Sequence, residues 1–339
     1  ISHLRKINLE MDAGAKLVKP RLLHSSQWGT IDPVDVPDGA NTGLHKHLAM
    51  TAHITAGGSA QPMLDWLRTE GALHFIEAMK PTQLFHMTKV LVNGTLWGCT
   101  GAPEELLAKF KFHRRIALIP IYNSIRWQIS TNEILIFTDA GRLCRPVFYH
   151  DTDTDLPSYE KSVIAKYIQT KEFSWDQLVT GFSEKTVASF DPDKYAFYSV
   201  DKLYELPDAV ATAATAAQGS EADGAEGAEG AEGAEGVKAS AEVGSTLLSS
   251  LRLKKAVIEF IDQSETECSL ISIQLAGAER LSAKKLAAAA AVPQHQRQYK
   301  TRYTHYEIHP SLMLGVMGNQ ISFVENNQFP RDAFGCGHA

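Results

Sequence analysis

The sequence has few of the residues that staple small secreted domains, and it has no long apolar run. Its 339 residues include four cysteines that form no Cys-x-x-Cys pair, Cys99, Cys144, Cys268 and Cys336. So few thiols, so widely spaced, disfavour a zinc ribbon and a disulfide framework and are typical of a reducing compartment. No segment approaches the roughly 18 continuous apolar residues of a membrane span, and the start of the chain lacks a signal-peptide pattern. We therefore expect no membrane partner.

Charge is unevenly distributed along the chain. The formal net charge is −6, but residues 205–242 hold nine of the acids and only one base. The remainder carries 32 basic and 30 acidic side chains. Basic residues form two runs, Arg5, Lys6, Lys16, Lys19 and Arg21 near the start and Arg297, Lys300 and Arg302 near the end. The overall acidity therefore does not exclude a nucleic-acid partner, although an ordinary solvated face also explains such runs.

The acidic stretch is also a low-complexity stretch. In GSEADGAEGAEGAEGAEG glycine recurs at every third position, but proline is missing, which excludes a collagen-like triple helix. Like charges repel one another there, and bulky apolar side chains are too few to form a core. We predict that residues 206–246 are a disordered surface insertion without chemistry of its own.

Apolar periodicity and turn residues predict an α+β fold with helices and small mixed sheets. Helical spacing covers MLDWLRTEGALHFIEAM, and PEELLAKFKFHRR begins with a proline and two glutamates that suit a helix amino terminus. TKVLVNGTLWG predicts a hairpin, because Asn93 and Gly94 accept the positive φ of a type I′ turn. IRWQIS, EILIF and RLCRPVFYH predict strands. Beyond residue 151 we expect a helix in KSVIAKYIQTKEF, a packing segment in WDQLVTGF, and two strands around a polar turn in KKAVIEFIDQSETECSLISIQL.

Residues 19–48, KPRLLHSSQWGTIDPVDVPDGANTGLHKHL, are predicted to form a rigid polar loop. Proline fixes φ and glycine permits positive φ, so a run that combines them encodes one particular path. Such loops usually position binding or catalytic groups. The acids Asp32, Asp35 and Asp38 are spaced by three rather than by two, which excludes a calcium-binding loop.

The segment THYEIHPS offers a candidate metal site. In a strand, His305, Glu307 and His309 would point to one face, and two histidines with a glutamate are a plausible zinc set. The helical motif His-Glu-x-x-His does not match, because the glutamate follows the first histidine by two positions. The alternative is a buried, hydrogen-bonded polar strand. The metal interpretation gives a metal-dependent hydrolase as one hypothesis for function.

In NNQFPRDAF, Arg331 follows a proline in a polar segment that we predict to be a stiff loop. A guanidinium held in one place suits phosphate, because its planar fork donates two parallel charged hydrogen bonds. Phe334 is suited either to stack on a base or simply to pack. The segment therefore predicts a phosphate contact.

Four motifs in chain order together resemble the second-largest subunit of cellular multisubunit DNA-directed RNA polymerases. They are SHLRKIN with KPRLLHSSQWGTIDPVDVPDGANTGLHKHLAM, then TKVLVNGTLWG, EILIFTDAGRLCRPVF, and YTHYEIHPSLMLGV with NNQFPRDAF. The residues of these motifs are more similar to those of the eukaryotic and large-DNA-virus branch than to those of the bacterial branch. The resemblance implies an internal, multidomain α+β fragment with long irregular fork loops. Its expected parts are a fork region (1–50), a first external domain (51–150), a second external domain (151–298) that carries the insertion, and the start of a hybrid-binding domain (299–339).

The resemblance implies template-directed RNA synthesis, in which an RNA 3′-hydroxyl attacks the α-phosphate of a nucleoside triphosphate and pyrophosphate leaves. Mg²⁺ is expected to be held mainly by the largest subunit, whose aspartates bind it in this family. Expected partners are the largest subunit, other polymerase subunits, the DNA template, the nascent RNA and nucleoside triphosphates. The expected location is the nucleus, or a viral factory or virion if the source is viral.

The resemblance also implies roles for single residues. Arg331 matches the arginine that touches the phosphates of the incoming nucleotide, and Phe334 takes the place of a common tyrosine beside it. Asp38 lies at a glutamate that supports the catalytic loop of the largest subunit, so the expected catalytic set is Arg331, Arg21 and Asp38. The expected nucleic-acid-binding residues are Arg5, Lys6, Lys16, Lys19 and Arg21.

Two departures from the family pattern leave another hypothesis open. Asp38 is one methylene shorter than glutamate, and Phe334 lacks the tyrosine hydroxyl. A polymerase-like subunit that serves as a non-catalytic scaffold is the alternative to an active one. The same departures suggest a fast-evolving, viral lineage.

Overall fold

The computed structural model describes residues 1–15, 17–69, 71, 73–151, 156–159, 175–181, 255–273 and 303–338. Four predicted features lie outside these residues: the helix in KSVIAKYIQTKEF, the insertion at 206–246, Lys16, and the basic run from Arg297 to Arg302. No helix within the described ranges combines the length and the apolarity that crossing a membrane requires.

The described residues form short strands and helices, which confirms the predicted α+β class. The strands are β1 (Lys6–Asn8), β2 (His45–His47), β3 (His53–Ile54), β4 (His74–Phe75), β5 (Thr88–Val92), β6 (Thr95–Thr100), β7 (Ser124–Gln128), β8 (Glu133–Phe137), β9 (Leu143–Asp151), β10 (Leu156–Pro157), β11 (Ile258–Asp262), β12 (Ile271–Ser272) and β13 (His305–Tyr306). The α-helices are α1 (Gln61–Thr69), α2 (Pro81–His86), α3 (Pro103–Arg115), α4 (Trp175–Thr180), α5 (Gln263–Thr266) and α6 (Phe329–His338).

A five-stranded sheet in the order β4-β6-β5-β8-β7 packs against α1 and α3. The predicted hairpin is confirmed, since Asn93 and Gly94 have φ of 49° and 82° between β5 and β6. Strand β5 also pairs in parallel with β8. Leu67, Phe110 and Ile134 are fully buried in the shared core. Each such side chain contributes about 1.5–3 kcal/mol of burial free energy, so this core fixes the helices on the sheet.

The predicted helix in MLDWLRTEGALHFIEAM is wrong in its second half. Helix α1 ends at Thr69, and the chain then enters β4, which pairs with β6. The cause is Gly71, which lies against the preceding turn of α1. A Cβ at this position would lie 2.8 Å from the carbonyl oxygen of Leu67, so glycine lets the chain turn back where any other residue would collide.

A second sheet has β9 at its centre and collects strands from distant parts of the chain. Strands β3, β10, β11 and β13 all pair with β9, and β12 extends the sheet through β13. The predicted polar turn between β11 and β12 is in fact helix α5, which the Asp262 carboxylate caps by accepting the N–H of Glu265 at 2.8 Å. Because its strands come from residues 53–306, this sheet joins the start of the chain to the end of the described part.

Residues 17–44, the amino-terminal loop, lead into β2, which pairs with β1. Three 3₁₀ turns shape the loop, Lys19–Arg21, Ser25–Gln27 and Gly39–Asn41. Gly43 has a φ of 76°, and a Cβ there would lie 2.7 Å from the Cα of Arg21. The close approach of the two ends of the loop therefore requires glycine at position 43.

Candidate functional site

The amino-terminal loop is hydrogen-bonded to residues 303–327, which we call the carboxy-terminal segment. The Asp32 carboxylate accepts the N–H of Gly315 at 2.7 Å, across 283 positions of sequence. Beside this contact, the N–H of Met50 donates to the carbonyl of Leu314 at 2.9 Å. Folding thus brings the amino-terminal loop against the segment that precedes Arg331.

Glu307 ties the carboxy-terminal segment to the loop and to β9. Its carboxylate accepts the indole N–H of Trp28 at 3.1 Å and binds Nη1 of Arg145 at 2.5 and 2.7 Å. Gly29 has a φ of 69° and packs against the side chain of Arg145. A Cβ at position 29 would lie 2.7 Å from Cδ of Arg145. The Arg145 and Glu307 side chains are 4% and 8% exposed, so this ion pair is buried in the structure of the domain.

His305, Glu307 and His309, the candidate zinc set, do not come together. His305 is buried and points its Nε2 towards Glu259, at 3.8 Å, whereas Glu307 binds Arg145. His309 is exposed and caps the 3₁₀ turn Pro310–Met313 by accepting the N–H of Ser311. The strand ends at Tyr306, so the alternation that would place the three side chains on one face does not continue.

Arg331 lies in the first turn of α6, whereas the sequence predicted a loop. The helix forms because Pro330 suits a helix amino terminus and because Asp332 accepts a hydrogen bond from Nδ2 of Asn327 at 3.0 Å. Asp332, Ala333 and Cys336 face inward, while Arg331 is exposed. In the part of the chain that the structure describes, the guanidinium of Arg331 binds no other side chain.

The inner face of α6 lies beside the acids of the amino-terminal loop. Burial raises the pKa of the Cys336 thiol to about 12, and the nearby carboxylates of Asp35, Asp32 and Asp332 add to the shift. These acids disfavour a thiolate next to them. Cys336 is thus an inert packing group, and α6 is held close to the loop.

Arg21 and Arg5 bind backbone carbonyls. Arg21 donates to the carbonyl oxygens of Thr42 at 3.0 Å and Ala13 at 2.9 Å, and also to that of Ala40. Arg5 donates to the carbonyl oxygens of Ala49 at 2.9 Å and Ala52 at 2.7 Å. Both guanidinium groups hold the loop and its flanks in place, which is a role that the sequence did not predict.

The other predicted site residues lie at the surface. Lys6 is exposed on β1, Lys19 is exposed in the first 3₁₀ turn, and Asp38 is exposed at the start of a later turn without capping it. The ring of Phe334 is 45% exposed and stacks on His338, with centroids 6.1 Å apart. These side chains are available to a partner of the chain.

A buried charge cluster around Arg114 was missed from the sequence. Arg114 is fully enclosed and binds both oxygens of Glu265 at 2.8 Å as well as Glu259, which also binds Arg115 at 2.9 Å. Burial alone would lower the pKa of Arg114, but Glu265 and Glu259 raise it above its ordinary value. The sequence signal that could have revealed the cluster is the presence of charged residues next to apolar ones in KFHRR and VIEFID.

The same cluster contains a potential cation site, but its carboxylates are already neutralised. Glu259, Glu265 and His305 offer ligand atoms within 4.8 Å of one another, a group that shares only His305 with the candidate zinc set. Burial would raise the pKa of Glu259, but Arg115 and Arg114 hold it well below its ordinary value. The cluster therefore fastens α3 to β11 and α5.

Three family models match the chain in order along the sequence. RNA polymerase Rpb2, domain 3, matches residues 1–54; domain 4 matches residues 90–151; and domain 5 matches residues 250–310. These matches agree with the motifs and with the relatives below. The chain belongs to the family of second-largest subunits of DNA-directed RNA polymerases.

Among the similar proteins, DNA-directed RNA polymerase II subunit 2 of Arabidopsis thaliana is 29% identical over 335 residues, which cover 98% of this chain and 21% of that protein. DNA-directed RNA polymerase II subunit RPB2 of Schizosaccharomyces pombe is 27% identical over 343 residues, covering 98% and 23%. DNA-directed RNA polymerase III subunit RPC2 of Drosophila melanogaster is 31% identical over 144 residues, covering 42% and 13%. The chain thus spans at most about a quarter of the length of these relatives.

Proposed function

We propose that this chain forms one side of the active-centre cleft of a DNA-directed RNA polymerase, where it contacts the incoming nucleoside triphosphate and the RNA–DNA hybrid. The observation that carries the proposal is the position of Arg331. Its guanidinium is exposed in the first turn of a helix whose inner face lies beside Asp32 and Asp35 of the amino-terminal loop.

Arg331 is well placed to bind a triphosphate. The dipole of a helix favours anions at its amino terminus, and the guanidinium adds a fixed charge with paired donors. In the transition state of nucleotidyl transfer, negative charge builds up on the phosphates as the RNA 3′-hydroxyl attacks. A preorganised donor there lowers the barrier without reorganisation. We assign this catalytic role to Arg331, and a neighbouring stacking role to Phe334.

In this proposal, exposed basic residues of the amino-terminal region contact the nucleic acid. Lys6 and Lys19 reach phosphates of the hybrid or template, which a polymerase must hold by backbone and shape because it accepts every sequence. Lys16 is assigned the same role from the sequence alone. Arg21 and Arg5 fix the loop path that presents these lysines, and we assign to Arg21 a contact with phosphate as well.

Mg²⁺ would supply neutralisation of phosphate charge in this reaction, and we propose that the largest subunit holds it. In the described residues the carboxylates that could share an ion are Glu259 and Glu265, and Arg114 already binds both. This site does not fit the role, so no step is assigned to a metal bound by this chain. Asp38 is proposed to contact the catalytic loop of the largest subunit from its exposed position.

The proposed partners are the largest subunit, other polymerase subunits, DNA template, nascent RNA and nucleoside triphosphates. The likeness to RNA polymerase II subunits supports a nuclear location, with a viral factory or virion as the alternative for a viral source. A non-catalytic scaffold is the second candidate, favoured by the stacking of Phe334 on His338 within its own helix. Single-nucleotide addition by the assembled polymerase with Arg331→Ala separates them, because a scaffold predicts no change in rate.

A further inference from the structure

Asp32 lies at the junction of the amino-terminal loop and the carboxy-terminal segment. Its side chain is 1% exposed. Oδ1 accepts the N–H of Val34 at 2.9 Å, and Oδ2 accepts the N–H of Gly315 at 2.7 Å. One carboxylate therefore closes a turn in its own loop and binds the backbone of the opposite segment.

Two glycines pack directly against this carboxylate. A Cβ on Gly315 would lie 2.7 Å from Oδ2 of Asp32, and a Cβ on Gly318 would lie 2.8 Å from the same atom. Neither position has a φ that by itself demands glycine. Their lack of a side chain therefore serves the close approach to Asp32.

The contact extends from Gly318 to the helix that carries Arg331. Asn319 holds the turn by donating to the carbonyl of Gly315 at 3.0 Å, and the side chain of Ile321 lies 3.5 Å from the position of a Cβ on Gly335 in α6. The charge of Asp32 also acts on Cys336, on the inner face of that helix. A shift of the Asp32 contact would therefore move α6.

We propose that Asp32 is a positioning residue for Arg331: by binding Gly315 it sets where α6 presents the guanidinium to the incoming nucleotide. This inference rests on the proposed function. It assigns to Asp32 no contact with substrate, only the placement of the residue that makes one. A carboxylate suits the task because it offers two acceptors, one for each N–H.

The test is a double-mutant cycle in the full-length subunit assembled into its polymerase, with the apparent KM for nucleoside triphosphates and kcat as readouts. In Asp32→Asn, the side-chain amide group faces one of the two backbone N–H groups, so that one hydrogen bond is lost. We expect KM to rise about tenfold, which corresponds to the free energy of one buried hydrogen bond. In an Arg331→Ala background, the same change is expected to raise KM by less than about twofold, since residues acting through one contact are not additive.

Equal effects of Asp32→Asn in both backgrounds would overturn the positioning role. They would leave the proposed function intact, because Arg331→Ala alone would still slow nucleotide addition. If Arg331→Ala has no effect on addition, both the proposed function and this inference are wrong.

A second pair of variants keeps the test independent of Asp32→Asn folding. Gly318→Ala pushes a methyl group against Oδ2 of Asp32 and is expected to raise KM. In an Asp32→Ala background the same change meets no carboxylate, so it is expected to raise KM by less than about twofold. An equal rise in both backgrounds would contradict the contact. Asp262→Asn is the matched control, because Asp262 is also buried, at 4%, but caps α5 instead. It should leave KM unchanged, and a KM raised as much as by Asp32→Asn would count against the positioning role.

Discussion

The indole N–H of Trp28 donates to the carboxylate of Glu307 at 3.1 Å, joining residues 279 positions apart. Glu307 in turn binds Arg145 of β9, so three separate motifs of the sequence meet at one carboxylate. The segment that suggested a zinc site is instead the point where the loop is fastened to the sheet.

This relationship predicts that Glu307 matters for stability and not for metal binding. Glu307→Ala would leave the guanidinium of Arg145 buried and unpaired, so we expect a loss of about 3–5 kcal/mol in the free energy of unfolding. Urea denaturation of the full-length subunit measures it. The control is His309→Ala, which removes an exposed side chain and should cost about 1 kcal/mol or less. Equal losses, or stabilisation of the wild type by added zinc, would contradict the structure.

A pH effect is predicted from His113, whose Nδ1 accepts the indole N–H of Trp66 at 2.6 Å. Burial lowers the pKa of His113 from 6.5 to about 4, with a further contribution from Lys109. The folded state therefore resists protonation that the unfolded state accepts below pH 6.5, so stability falls as the pH drops from 6.5 towards 4. The loss from this one group is roughly 3 kcal/mol.

Stability measured between pH 7 and 4 tests this effect. Replacing the imidazole by an uncharged acceptor, His113→Gln, should flatten the dependence relative to wild type, whereas His309→Gln should not. An unchanged slope in His113→Gln would show that His113 is not the group that titrates. His305 contributes in the same direction, because burial also lowers its pKa.

Arg331→Ala is expected to slow nucleotide addition by on the order of 10², the usual cost of removing a preorganised charge donor. Arg331→Lys should recover part of the rate, since it keeps the charge but loses the planar fork. Rapid-quench measurement of single-nucleotide addition at saturating nucleotide gives both values. Arg68→Ala, which removes an exposed arginine on α1, is the matched control and should have no effect.

Arg21→Lys tests whether the amino-terminal loop must be held in shape. Lysine cannot reach Ala13, Ala40 and Thr42 with the geometry of a guanidinium, so the loop should loosen although its charge is kept. We expect faster proteolysis between residues 17 and 44 and weaker hybrid binding at every salt concentration. Lys19→Ala, by contrast, should leave proteolysis unchanged and reduce the salt dependence of binding.

Local signals in the sequence were sufficient for two local features. Proline and two glutamates fixed the start of α3, and Asn93 with Gly94 fixed the hairpin. Each of these signals acts within a few residues, so no knowledge of distant partners was needed.

Long-range contacts determined most of what the sequence did not predict. The burial of Arg114 depends on two glutamates about 150 residues away, and the role of Asp32 depends on Gly315. The helix around Arg331 was missed because its short sequence contains glycine at 335 and 337, which weakens the helical signal. For the site, the resemblance predicted the residues, but only the fold showed that Arg21 binds carbonyl groups.

The central claim is that the amino-terminal loop and α6 converge on the phosphates of one nucleotide. A cryo-electron microscopy structure of the assembled polymerase with a bound, non-hydrolysable nucleoside triphosphate tests it most directly. A guanidinium nitrogen of Arg331 is expected about 3 Å from a phosphate oxygen, with Lys19 and Arg21 lining the same cavity. The central claim would be contradicted if Arg331 and Arg21 lay on opposite outer surfaces with no cavity in common.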